Sequence, residues 1–347
     1  MLRNIVREFG KWMIAILCAL FVLNMVTFAF YHPVHQLERN GGSTHGLMVA
    51  GQWGLYGTEG WGIQTIDSRG YPNPELPLEE EYYCIIGSSQ TEGFHSMKGE
   101  RFCDILNKRM GYEDSLKYYN IAHSGYLFDD MAKHFKGITE EFPEMKGIIF
   151  EINQTGYSTD GLRSALDQVG YDEDKDSYSA LISNMDKRER MLIAFKNYFP
   201  VFRLLSLQAK TYLGDEYQKV NGVSVSENKQ EEVDYAVLLD QVMALMRSQF
   251  DGEIYIVYHP MTTLNDDGTL AVNYGETDEI FQKCCEKYSI EFINMGPDFE
   301  DAFYKDHHAA YGFWNTTLES GHMNKYGHEL IADRLYQQLK NSGKESK

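Results

Sequence analysis

A chain of 347 residues has room for one large domain and an appendage, because single hydrophobic cores stop growing near roughly 250–300 residues. Its 43% hydrophobic and 24% charged content is that of an ordinary packed protein and gives no reason to expect extensive disorder. A net charge of −19 argues against nucleic acid as a partner, since phosphate binding needs a basic face, and disfavours acidic polymers as substrates.

In chain order, Arg3, Arg7 and Lys11 make residues 1–11 basic, and Trp12–Tyr31 follows without a charged side chain. At about 1.5 Å per residue that stretch spans roughly the 30 Å hydrocarbon core, so residues 12–31 read as a transmembrane helix. The basic flank puts the N-terminus in the cytoplasm and everything after the helix outside. A cleaved signal peptide is the alternative, but its apolar region is usually shorter and ends in small residues. Here the end is Phe28-Ala29-Phe30-Tyr31, and an uncleaved single-pass anchor is the expectation. Residues 32–81 are rich in Gly, Trp, Tyr and Pro without a helical period, which predicts a stalk turning into an irregular lead-in.

Residues 82–342 alternate short apolar runs with amphipathic segments, the pattern of parallel β/α units. Candidate strands are 82–86, 118–121, 147–152, 254–258 and 291–294, each rich in β-branched or aromatic residues. Candidate helices lie near 99–110, 127–142, 233–249, 277–288 and 325–339. The expectation is an open, doubly wound α/β sheet of five parallel strands flanked by helices. Residues 155–232 break the rhythm and read as a helical insertion, two helices broken at Pro200, of the kind that covers a site or merely packs beside it. Residues 343–347 form a polar tail.

The segment Tyr82–Ser96 sets Gly87-Ser88-Ser89 directly after a strand. In an open parallel sheet, ligands bind beyond the carboxyl ends of the strands, so Ser89 stands where a nucleophile belongs. Serine and glycine in that place also serve as plain turn residues, and the segment alone does not decide. Near the other end, Glu319 precedes His322 by three residues, with Asn324 and Gly327 leading into a helix. A carboxylate that near can hold an imidazole in the tautomer that accepts a serine proton.

Other groups carry less. Cys18, Cys84, Cys103, Cys284 and Cys285 have neither disulfide-framework nor metal spacing; Cys18 lies in the membrane segment, and buried thiols are the reading for the rest. Asp306-His307-His308 lacks supporting ligands at helical spacing. No metal and no cofactor are expected. His328 reads as a helix residue, and His259 as a loop residue near the pocket.

Taken together, these blocks resemble the SGNH (GDSL-type) hydrolase superfamily. Its opening block, roughly G-D-S-x-T-x-G, is matched by Gly87-Ser88-Ser89-Gln90-Thr91-Glu92-Gly93, with Ser88 in place of the aspartate. Asn120–Tyr126 looks like the second block and Glu151-Ile152-Asn153-Gln154 like the third, without its flanking Gly and Asp. Glu319-Ser320-Gly321-His322 is similar to the final D-x-x-H block, with glutamate for aspartate. The resemblance implies a flavodoxin-like sheet, with Ser89 as nucleophile, His322 as base and Glu319 as the acid, or else a Ser–His dyad. It also implies an oxyanion hole from the Ser89 and Gly125 N–H groups and the Asn153 amide.

The function so implied is an extracytoplasmic serine esterase or O-acyltransferase acting on O-acyl, above all O-acetyl, groups of a cell-envelope or secreted carbohydrate. Anchored members of the superfamily often look like parts of polysaccharide-modification systems. A transferase would need an acyl donor delivered by a membrane partner. The alternative is a non-catalytic binding or assembly protein that keeps the fold, motivated by the incomplete third block.

Overall fold

A computed structural model describes residues 2–37, 46–205 and 229–341. The parts of the expected insertion at 206–228, and the tail at 343–347, lie outside the described residues.

The chain opens with helix α1 (Leu2–Phe28), whose Val6–Phe28 stretch is long and apolar enough to cross a membrane, with a mean hydropathy of 2.0. Short strands follow: β1 (Tyr31–His32), β2 (Gln36–Leu37), β3 (Leu47–Met48), β4 (Trp53–Tyr56) and β5 (Gly62–Thr65). Then come β6 (Leu78–Ile86), α2 (Ser89–Glu92), α3 (Phe102–Arg109), β7 (Leu116–Asn120), α4 (Phe128–Lys133), α5 (Phe135–Glu141) and β8 (Met145–Ile152). The insertion carries α6 (Thr159–Leu166), α7 (Glu173–Asp176), α8 (Tyr178–Asn184), α9 (Lys187–Tyr198) and a further helical turn at 200–205. The C-terminal part comprises α10 (Lys229–Gln249), β9 (Glu253–Tyr258), β10 (Thr262–Leu264), β11 (Leu270–Val272), α11 (Asp278–Lys287), β12 (Glu291–Asn294), α12 (Gly296–Asp306) and α13 (Lys325–Asn341).

The main sheet has five strands in the order β12-β9-β8-β6-β7, all parallel. This is the 2-1-3-4-5 order of flavodoxin-like sheets, in which β6 and β8 flank the switch point where ligands bind. The five-stranded parallel sheet expected from the alternating pattern is present. Side chains alternate between its faces with period two. Tyr82, Cys84 and Ile86 enter the core shared with α4, α5, α6, α10 and α11, whereas Tyr83 and Ile85 enter the core shared with α3, α12 and α13. Both faces are therefore apolar, as crossover helices require.

Several elements differ from the expectation. The lead-in at 32–81 is not irregular throughout: β1, β4 and β5 form a three-stranded antiparallel sheet, with Trp53 opposite Thr65 and Tyr56 opposite Gly62. The helix expected over 127–142 is broken at His134, because Val169 of the insertion accepts from the Gly137 N–H and donates to the Lys133 carbonyl. Those two groups would otherwise bond each other, and a strand of chain inserted into the ladder breaks it. The insertion breaks at Asp186 as well as near Pro200. There Asp186 caps α9, accepting from Glu189 N while the Glu189 carboxylate accepts from Asp186 N, a reciprocal capping box. Helix α12, begun by Pro297 in its first turn, and the β10–β11 hairpin were not expected.

Candidate active site

The site is built from three loops that converge at the carboxyl edge of the sheet. The first follows β6. Ser88 caps α2, its hydroxyl accepting from Gln90 N at 3.3 Å, and Ser89 is the first residue of that helix. The turn is fixed from beneath by Glu151 on β8, whose carboxylate accepts from Ser88 N at 2.8 Å and from the Thr91 hydroxyl at 2.8 Å. Gly87 is required there, since a Cβ would lie 2.4 Å from the Glu151 carboxylate and 2.5 Å from the Thr91 hydroxyl.

Glu151 and His259 are both fully enclosed and hydrogen-bonded to each other. His259 Nδ1 meets the Tyr311 hydroxyl at 2.7 Å. Burial pushes the Glu151 carboxyl up, but the facing His259 and the donors on it hold it below its ordinary range. A buried ion is tolerated only when paired and hydrogen-bonded in this way. His259 thus supports the turn from below.

The second loop precedes α13. His322 Nε2 lies 3.0 Å from Ser89 Oγ, within the reach that proton transfer needs. Gln90 ties this loop to α2: its carbonyl oxygen accepts from Met323 N at 2.6 Å and its amide donates to the Gly321 carbonyl at 3.3 Å.

The third loop, residues 57–61 between β4 and β5, supplies a carboxylate. The Glu59 carboxylate accepts from the His322 backbone N–H at 3.0 Å and lies 2.9 Å from His322 Nδ1. An ionised carboxylate only accepts, so Nδ1 carries the ring proton and Nε2 is left bare toward Ser89. The hydrogen bond from His322 lowers Glu59 to about 2, so its carboxylate is ionised at neutral pH. His95 stacks on His322 with ring centroids 4.0 Å apart and points Nδ1 at the Glu59 carbonyl, 3.2 Å away. Burial, and then the neighbouring His322, lower His95 to about 4, which keeps a positive charge away from the His322 ring.

Glu319, expected as the acid, does not face His322. It is buried, its carboxylate accepting from the Thr262 hydroxyl and from Ala310 N, and burial raises its carboxyl. The reason is local. Glu319 has φ 55 and Gly321 φ 78, and two left-handed residues turn the chain so that positions 319 and 322 point apart. Gly321 also leaves space for the true neighbour, since a Cβ there would lie 2.6 Å from the Glu59 carboxylate.

Gly125 and Asn153 follow the carboxyl ends of β7 and β8, the two strands that flank β6, so they lie along the same edge of the sheet as Ser89. Beside Ser89 is a cavity of about 60 Å³ walled by Tyr56, Glu92, Phe94, His95 and Arg203. Glu92 is fully enclosed and accepts from the Ser124 hydroxyl, while its Oε1 has no partner among the described residues. Burial raises it to about 7. His328 is buried in α13 against Phe102, His307 ends α12 in a left-handed conformation, and His308 stacks on Tyr326. Among the described residues no group of three or more His, Cys, Asp and Glu could hold a metal ion.

The sheet order is that of flavodoxin-like open parallel sheets, with the serine turn after its first strand and the histidine loop before its last helix. No family model matches the chain, and no curated protein matches it. Solved structures that it is similar to include a two-domain esterase active on acetylated mannans, at 9% identity and a TM-score of 0.39, covering 77% of this chain and 50% of that one. Another is an acetyl xylan esterase at 10% identity and a TM-score of 0.38, covering 74% of this chain and 99% of that one. A third is the acetyl xylan esterase Est2A from Butyrivibrio proteoclasticus, at 11% identity and a TM-score of 0.34, covering 83% and 68%. This chain thus spans half the length of the first.

Proposed function

We propose that the protein is a serine esterase or O-acyltransferase in which Ser89 is the nucleophile, His322 the general base and Glu59 the acid that orients it. The observation that carries this reading is the continuous chain Ser89 Oγ to His322 Nε2 at 3.0 Å and His322 Nδ1 to Glu59 at 2.9 Å.

In the first half-reaction Ser89 Oγ attacks the ester carbonyl carbon and its proton passes to His322 Nε2. The imidazolium is stabilised by the ionised Glu59. The tetrahedral oxyanion takes hydrogen bonds from the Ser89 and Gly125 N–H groups and the Asn153 amide, each such donor contributing about 2.7–4 kcal/mol to the transition state. Collapse of the intermediate breaks the bond to the alcohol, which leaves with the proton from Nε2. Water or a sugar hydroxyl then gives its proton to His322 Nε2 and attacks the acyl-serine, and collapse of the second intermediate breaks the bond to Ser89 Oγ, which takes the proton back from Nε2.

The substrate class is an O-acylated, above all O-acetylated, carbohydrate of the cell envelope or a secreted polymer. Helix α1 is an uncleaved anchor with its N-terminus in the cytoplasm and the catalytic unit outside. The basic residues before the apolar stretch support that orientation, and the small cavity beside Ser89 supports a short acyl group. When the acceptor is a sugar hydroxyl, a membrane partner supplies the acyl donor. The test is hydrolysis of a short-chain chromogenic ester by the full chain in detergent, with Ser89→Ala alongside. A rate abolished by the substitution supports the serine mechanism, and equal rates for the two proteins reject it.

A further inference from the structure

The insertion presents an apolar surface that the reaction does not use. On α9 and the helical turn after it, Met191, Leu192, Phe195, Tyr198, Phe202 and Leu205 are all exposed, Tyr198 to 70%. Phe195, Phe199 and Phe202 form one ring cluster, with centroids 5.0–6.3 Å apart. Isolated exposed apolar residues need no explanation, but a contiguous patch of this kind marks a binding surface. Its charge is also unlike the rest of the chain. Residues 187–205 hold five basic side chains and one acidic one, in a protein whose net charge is −19. Exposed apolar area and positive charge on one arm are the two contributions that bind a protein segment to an anionic lipid surface.

The position of the arm identifies what covers it. Asn24 of α1 donates its side-chain amide to the Tyr198 carbonyl at 2.9 Å, and its Oδ1 accepts from Val201 N at 3.4 Å. These are backbone groups left open at the break between α9 and the following turn, where helix ends lack internal partners. One polar side chain of the apolar helix thus closes the break in the arm, and Asn24 is buried there. Asn24 stands four residues before the end of α1 at Phe28, a depth of about 6 Å at the helical rise. Interfacial helices sink about 5–10 Å into the boundary between headgroups and acyl chains.

We propose that α9 and residues 200–205 form a second membrane contact, lying in the lipid interface beside the anchor with Phe195, Tyr198 and Phe202 among the acyl chains and the basic side chains at the headgroups. This rests on the reading of α1 as a membrane span. The consequence is for access to the site. The arm walls a groove of about 860 Å³ that includes Leu37, Ile193 and Phe199, and the groove shares Gln36 and Arg203 with the Ser89 cavity. An arm seated in lipid therefore sets the reaction centre at the bilayer surface.

The test uses the full chain in phosphatidylcholine–phosphatidylglycerol vesicles, with single nitroxide labels in a Cys18→Ser background; the four remaining cysteines are buried. Labels are placed by Phe195→Cys and Phe202→Cys on the arm, Lys187→Cys at its polar start, and Phe21→Cys in the anchor. Relaxation by oxygen is compared with relaxation by an aqueous nickel chelate. The expected result is an oxygen-to-nickel ratio at positions 195 and 202 several-fold above that at 187 and approaching that at 21. If positions 195 and 202 match 187 while 21 remains in lipid, the arm faces water or a protein partner and the proposal is overturned with the anchor intact. An aqueous label at position 21 overturns the anchor and the arm together.

Discussion

The Glu59 carboxylate accepts from the backbone N–H of His322 at 3.0 Å and lies 2.9 Å from its ring Nδ1. One oxygen, Oε2, thereby sets both the position and the tautomer of the His322 ring. Glu59→Gln keeps the size of the side chain but removes its charge and presents an amide that can favour the wrong tautomer. The expected outcome is a kcat for ester hydrolysis lowered by roughly 10²–10⁴-fold, as for loss of a triad acid, with KM little changed. Glu319→Gln, by contrast, is expected to leave kcat within a few-fold and to lower thermal stability through its bonds to Thr262 and Ala310, by about 1–3 kcal/mol. Steady-state kinetics and melting curves on both variants separate the two glutamates.

Gln90 ties the serine helix to the histidine loop through Met323 N and the Gly321 carbonyl. Gln90→Ala releases that tie without touching Ser89 or His322. The predicted effect is a kcat about tenfold to a hundredfold lower, since about 1 Å of misplacement can cost that much, with the unfolding midpoint lowered only slightly. An unchanged kcat would show that the loop is held by other contacts.

Glu151 belongs to the foundation of the site. Glu151→Ala leaves His259 enclosed without its partner and frees Ser88 N and the Thr91 hydroxyl. Removing one member of a buried pair typically costs about 3–5 kcal/mol, and urea denaturation of the variant is expected to show a loss in that range. A loss under about 1 kcal/mol, the value of a surface pair, would mean that the pair contributes little.

Glu92 gives a pH dependence. Its ordinary value is 4.5 and burial raises it to about 7, so the folded state holds a proton that the unfolded chain releases. The stability it contributes is complete below the unfolded value and is lost as pH rises from about 4.5 through 7, by about 3 kcal/mol at 1.36 kcal/mol per unit. Glu92→Gln removes that slope. Melting temperatures of wild type and variant at pH 5 and pH 8 are expected to converge at the lower pH and to favour the variant at the higher. A parallel response of the two proteins would contradict the assignment.

The parallel sheet was legible because each strand is an apolar run rich in β-branched and aromatic residues, spaced by helices, and because a five-strand unit of that kind closes its core on both faces. Ser89 and His322 could be paired because both flank regular elements. The carboxylate beside His322 could not be read in the same way. Glu319 is near His322 in sequence, but the left-handed conformations at 319 and 321 separate them, and φ signs of non-glycine residues leave no mark on composition. Glu59 lies in a glycine-flanked loop whose neighbourhood depends on the docking of a short antiparallel sheet, a tertiary event without local period. A clue did exist at Glu151, where a single carboxylate interrupts the apolar run Gly147–Ile152, the mark of a buried charge that needs a partner. The break at His134 was illegible for the converse reason, since it is imposed by Val169, outside the helix.

The most direct test of the central claim is covalent capture of the nucleophile. The full chain is treated with a fluorophosphonate ester and digested, and the modified peptide is located by mass spectrometry, alongside Ser89→Ala and His322→Ala. The account predicts one stoichiometric adduct on Ser89, absent in the first variant and formed far more slowly in the second. An adduct on another residue, or equal labelling of Ser89→Ala and the unsubstituted protein, would contradict it.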